Sequence, residues 1–362
     1  MDDSRYIEYL LNKRIMRRSK DPDSIRQVYS SKYLNWITEY LNNNQIYEVP
    51  MLIVCNTLYK LPDTFRIRNK SFFVGDFYLF SYFYDWNCIL SIERYQENIV
   101  NLCIKQYIES CYLNDEIDEA YWLCLTSDGL EDYKKDGIYY NDEMLLYFID
   151  RTNIQEEFAM IHEAGHYLLR FLDREAEFAP IKEMHSKIQI TLCEQLENGT
   201  IRDKDLENLY EECFCDTQAV LYVMEHLDHE KNIGEDECYM LLFKALLYTY
   251  ALQYIDIVCQ KSIEVAGDYF DYQLWELVYR IGNIYNTLYA RLINKGAECG
   301  LENLKTTYEK FLDILKTKMK EVRQVALYIK ETIIENEDKF HEAVKASNTD
   351  KEQFVREYLN VL

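Results

Sequence analysis

The sequence predicts a mainly helical fold, in which helical bundles embed a core with a small antiparallel β-sheet or hairpin beside one motif-bearing helix. Three observations carry this. The 362 residues include only 4 Pro and 10 Gly, so few positions break a helix. Apolar residues recur at three- and four-residue spacing through the C-terminal half, where no Pro follows Pro180. Against that background, two stretches between residues 120 and 149 have strand character.

In chain order, residues 13–20 hold Lys13, Arg14, Arg17, Arg18 and Lys20, the pattern of a solvated basic helix face. Residues 24–41 read as a helix ended by Asn42, Asn43 and Asn44, and 49–59 as a second short helix. Residues 71–92 are rich in Phe, Tyr and Trp; they fit a strand around Gly75 or a buried helix, and periodicity does not separate the two. Residues 93–112 read as a helix with Ile99, Leu102, Cys103 and Tyr107 on its core face. The run AYWLCLT at 120–126 reads as a strand. Residues 138–140, a turn at Asn141 and Asp142, and 144–149 read as a β-hairpin. Thr152 and Gln155 have the spacing of a capping box, which starts the next helix at Asn153 or Ile154. Phe158, Ile161, Gly165, Leu168 and Leu172 give that helix a core face, and it ends near Asp173. Helices are then expected at 181–196, 205–227, 236–262, 268–294, 301–345 and 350–360. Three regions result: an N-terminal helical region (1–115), a core (116–234) and a C-terminal helical bundle (235–362).

Charge narrows the function classes. Lys and Arg number 40 and Asp and Glu 63, a net charge of −23. Such a field repels nucleic-acid phosphates and anionic membranes, so neither is an expected partner, and a helix-turn-helix reading of 24–59 is disfavoured. The longest apolar stretch, 239–259, contains Lys244, Gln253 and Asp256 and reads as a buried helix rather than a membrane span. The 11 Cys include no C-x-x-C pair, and residues 1–21 lack the apolar core of a leader. Reduced thiols and a cytoplasmic location are expected.

The chemistry concentrates in FAMIHEAGHYLLRF at 158–171. His162, Glu163 and His166 form H-E-x-x-H. On a helix the two imidazoles share a face and can grip one metal ion, while Glu163 reaches water beside it. Two His ligands and a Glu general base are the parts of a zinc hydrolase, so Zn²⁺ is the expected cofactor. A third ligand is needed. Glu212 is favoured, because Asp216 stands four residues on and can orient an imidazole through its free N–H. His185 is the alternative ligand, nineteen residues beyond His166. His226 and His229 read as surface residues.

The segment 136–222 resembles the ImmA/IrrE family of metallopeptidases. The likeness rests on DGIYYND, MLLYFID and EEFAMIHEAGHYLL, and on the later Glu212-Cys-Phe-Cys-Asp216-Thr-Gln-Ala219. It implies a zincin-like core of the gluzincin type, with a hairpin and apolar strand before the motif helix. It also implies cleavage of a protein target inside the cell, often a transcriptional regulator such as a repressor. The expected function is zinc-dependent peptide-bond hydrolysis, with Glu163 as general base. The alternative is a helical regulatory or binding protein whose zinc site is structural or inactive.

Overall fold

The computed structural model describes residues 22–47, 50–60, 62–67, 70–91, 97–126, 142–171, 203–230, 268–296, 298–336 and 349–361, with separate positions within 238–253 and 338–345. Helices dominate, as expected. Helix α1 (Pro22–Asn43) leads into strands β1 (Met51–Cys55), β2 (Asp63–Ile67) and β3 (Lys70–Asp76). Helices α2 (Phe77–Ser91), α3 (Glu97–Leu113) and α4 (Ile117–Thr126) follow. The motif lies in α5 (Asp142–Phe171), and α6 (Asp203–Glu230), α7 (Asp268–Lys295), α8 (Glu298–Glu335) and α9 (Lys351–Tyr358) follow among the described residues.

The small sheet differs from expectation in type and in origin. Its order is β1-β3-β2, with β3 parallel to β1 and antiparallel to β2, so it is mixed. It is built from residues 51–76, not from 120–149. The run at 120–126 is helix α4, and 144–149 lies inside α5; residues 138–140 fall outside the described residues. The reason is burial on several sides. Helix α4 is packed by α3 and α9, Tyr121 meets Phe354 edge-on, and Ala120 to Cys124 are all buried. A helix enclosed in this way loses its polar stripe and reads like a buried strand. Asp118 and Glu119 in its first turn complement the helix dipole.

The reverse error occurs at 49–59, read as a helix, where Met51–Cys55 pairs in parallel with Phe72 to Asp76. The undecided stretch at 71–92 is both: strand β3, then α2. Asp76 makes the junction. Its Oδ1 accepts from the Tyr78 amide at 3.0 Å, the bond of a helix N-cap, and from the Thr57 amide at 3.1 Å.

Helix α5 does not start at Thr152 but runs through it. The Thr152 hydroxyl donates to the Phe148 carbonyl within the helix at 2.9 Å. The Gln155 amide donates to the Ala245 carbonyl at 2.9 Å and accepts from Asn87 at 2.8 Å. The residues with capping-box spacing are thus buried cross-links between elements. Helices α1, α2 and α6 and strands β2 and β3 all pack on α5. The sheet seats on it through Phe73, whose ring lies 5.5 Å from that of Tyr167, and through Ser71, whose hydroxyl meets the Tyr167 hydroxyl at 2.6 Å.

Of the apolar stretch at 239–259, the described positions Tyr239, Leu242, Phe243, Leu246 and Tyr250 are helical and buried. Among the described residues no helix is long and apolar enough to cross a membrane.

Candidate metal centre

The site lies on the contact between α5 and α6, and Gly165 permits a close approach there. A Cβ at 165 would come within 3.1 Å of both Cα and Sγ of Cys215. Without it, the α5 backbone sits directly against α6. His162 and His166 flank this contact on α5, and Glu211, Glu212, Cys215 and Asp216 present one face of α6 to them.

Both imidazoles turn Nε2 inward and Nδ1 outward. His162 Nε2 lies 3.2 Å from Glu212 Oε2, and His166 Nε2 lies 3.3 Å from Glu212 Oε1. The two Nε2 atoms are 3.1 Å apart. On the outer side, His166 Nδ1 meets Glu211 Oε1 at 2.7 Å. His162 Nδ1 lies 3.0 Å from Asp216 Oδ1, within ion-pair range but off the line of a ring N–H bond.

A carboxylate beside Nδ1 favours the proton there and leaves the lone pair at Nε2. Three electron-pair donors then converge, and only protons or a cation can hold them together. The two Nε2 atoms, 3.1 Å apart, are spaced close to a tetrahedron's edge, about 3.3 Å when metal–ligand bonds are about 2.0–2.1 Å, and each faces a different oxygen of the Glu212 carboxylate, at 3.2 and 3.3 Å. The set of two imidazoles and a carboxylate fits zinc.

The electrostatics are those of a strongly anionic pocket. Burial opposes the His162 imidazolium, but Asp216 and Glu212 outweigh it and raise the group to about 10. Burial opposes His166 in the same way, and Glu211 and Glu212 raise it. Burial also works against the charged forms of Glu212 and Asp216, yet Arg280 and the imidazoles hold both below the usual carboxylate range. The Glu163 carboxyl is raised chiefly by burial; the two imidazoles oppose this, and Asp63 and Glu212 add to it. Asp63 opens β2, which packs on α5, so a sheet strand borders the site on the Glu163 side.

The structure brings together His162, Glu163, His166, Glu212 and Asp216, all chosen from the sequence. His185 lies outside the described residues. His226 is not a surface residue: its Nδ1 contacts the Glu157 carboxylate on α5, and the side chain is partly buried.

Glu211 and Arg280 escaped sequence reasoning, and Cys215 carried there only the weak metal signal of its C-x-C spacing with Cys213. Glu211 orients the second imidazole; its only signal was its place beside Glu212. Cys215 offers a sulfur donor, which with atoms of His162 and His166 forms a group mutually within 4.8 Å. Burial holds that thiol well above its ordinary value, and Glu212 and Asp216 add to the effect. Arg280, on α7, grips Asp216 with Nε at 2.7 Å and a terminal nitrogen at 2.8 Å. Its other terminal nitrogen lies 3.1 Å from Glu212 Oε2. Its signal was a polar line of Arg280, Asn283 and Thr287 at helical spacing.

No family model, curated protein or solved structure matches the chain.

Proposed function

We propose that this protein is a zinc-dependent metallopeptidase of the gluzincin type. One observation carries the reading: Glu212, on a different helix from the motif, offers its carboxylate to the point where both histidine Nε2 atoms converge. His162, His166 and Glu212 hold the ion, Asp216 orients His162, and Glu211 orients His166. Zinc in such a site supplies Lewis-acid polarisation of a carbonyl and acidifies water. Glu163 takes a proton from the attacking water and delivers it to the leaving nitrogen. Among the described residues β2 pairs only with β3, so an extended peptide adding to its other edge would run past Asp63 and the site. The likeness at 136–222 adds a protein target, a transcriptional regulator, to this reading and a cytoplasmic setting.

A second reading rests on Cys215. Were its sulfur to join His162, His166 and Glu212, four protein donors would close the site, as in structural zinc centres. The chain would then be a helical regulatory or binding protein. Glu163 separates the two, because a closed site has no use for a general base.

The test compares the wild type with Glu163→Gln for metal content and for cleaved proteins in cells expressing each. Zinc in both proteins, with cleavage products only from the wild type, is expected. Equal cleavage by a zinc-loaded Glu163→Gln would end the peptidase reading.

A further inference from the structure

We propose that Arg280 is a positioning residue of the metal centre, and that α7 is thereby a working part of the site rather than a separate recognition element. The inference rests on the zinc reading above and concerns what holds its ligands in place.

Helix α6 carries Glu212 and Asp216, but neither carboxylate has a fixed direction of its own. Each must choose a rotamer that meets an imidazole on α5. The guanidinium of Arg280 makes that choice. Its planar fork takes both oxygens of Asp216, at 2.7 and 2.8 Å, which fixes the carboxylate plane. The Oδ1 held in this way is the atom that faces His162 Nδ1 at 3.0 Å. The remaining terminal nitrogen, 3.1 Å from Glu212 Oε2, holds the oxygen that faces His162 Nε2 at 3.2 Å. One side chain thus sets both the inner and the outer contact of His162.

The guanidinium is itself held. Asn283, one turn further along α7, donates to the Cys213 carbonyl at 3.1 Å and to the Thr217 hydroxyl at 3.1 Å. Helix α7 is therefore keyed to α6 in register, with Arg280 opposite Asp216. Arg280 is buried to 9% exposure, where a fork with matched geometry and a permanent charge is not replaceable by a lysine.

Two effects of removing Arg280 oppose each other. Loss of a nearby cation favours Zn²⁺ electrostatically. Loss of ligand orientation disfavours it, typically about 10–100-fold for an orienting partner. Positioning predicts that the second wins.

The test measures zinc affinity by competition with a chromophoric chelator, and the visible spectrum of the cobalt-loaded protein, for the wild type, Arg280→Gln and Arg280→Lys. Arg280→Gln is expected to bind zinc about 10–100-fold more weakly and to alter the cobalt bands. Arg280→Lys, which keeps the charge but not the fork, should restore neither. If Arg280→Gln does not fold, Arg280→Lys is compared with the wild type directly and should bind zinc more weakly and alter the cobalt bands. Wild-type affinity and bands in a folded variant, tighter zinc binding, or full rescue by lysine would overturn the positioning role while leaving the zinc reading intact. A wild type that binds neither metal would overturn both.

Discussion

Two of the buried ionic clusters among the described residues close their charges differently. Around Glu109, a buried cation meets a buried anion. Lys60 Nζ lies 2.9 Å from Glu109 Oε2, the Tyr82 hydroxyl donates to the same oxygen at 3.1 Å, and the Tyr78 hydroxyl donates to Oε1. Lys60 also lies 4.5 Å over the Tyr82 ring and adopts a left-handed φ of 52° to reach this place. Every partner is supplied from within the fold. Around His162, the Arg280 guanidinium pairs with Glu212 and Asp216, Glu211 holds His166, and the two imidazoles turn Nε2 to one point beside the Glu212 carboxylate. The first cluster is complete as a piece of structure. In the second, imidazole and carboxylate donors converge on one point where only protons or a cation can hold them, which is the property of a site.

That contrast breaks or sharpens under substitution. The largest effect is expected for Glu163→Gln, which lowers peptide hydrolysis by about 10²–10⁴-fold while zinc content, measured by elemental analysis, stays at the wild-type level. Next, Glu212→Ala weakens zinc binding by more than the roughly 100-fold of a lost orienting partner, whereas Cys215→Ala leaves it within a few-fold. The same chelator competition on Glu109→Ala should give wild-type zinc affinity. Chemical denaturation of that variant should show a stability loss of about 3–5 kcal/mol, because Lys60 is left buried without its partner. A Glu109 variant that lost zinc would erase the distinction between the clusters.

Gly165→Ala probes the helix contact beneath the metal centre. Its Cβ meets backbone and side chain of Cys215 at 3.1 Å, so thermal or chemical unfolding should report a loss of about 1–3 kcal/mol. A neutral result would mean that α5 and α6 separate at little cost.

Zinc binding should also depend on pH. His162 stays protonated until about 10 in the metal-free protein, so at pH 7 zinc must displace its proton. Raising the pH removes that competitor, and zinc affinity should climb by up to about tenfold per unit for each proton displaced. Calorimetry in buffers of different ionisation enthalpy counts the protons. A flat profile would contradict the carboxylate-held imidazolium.

The parts of the site that could be read in the sequence are those joined by helical spacing. His162, Glu163 and His166 form one local pattern, and Glu212 and Asp216 form another because residues four apart share a face. The pairing of Arg280 with Asp216 could not be read: the polar line of Arg280, Asn283 and Thr287 marks a helix face, but no spacing rule links it to Asp216 on a separate helix. An arginine on a long amphipathic helix looks like a solvated residue until packing turns it inward.

The fold divides similarly. Helices with one wet face, such as α1 and α7, were legible with boundaries close to those observed. Helix α4 and strand β1 were exchanged in type, because a short apolar run carries no period that separates a buried helix from a buried strand. At Thr152 and Gln155 the local pattern was genuine, but tertiary partners at Asn87 and Ala245 claimed the polar groups that a cap would have used.

The central claim is that the anionic cluster on α5 and α6 is an open zinc site with nitrogen and oxygen donors. X-ray absorption at the zinc edge of the purified protein tests it most directly. The account predicts one zinc per chain, with a shell of nitrogen and oxygen at about 2.0–2.1 Å and no sulfur. A zinc–sulfur distance of about 2.3 Å would place Cys215 on the metal, close the site and contradict the catalytic reading.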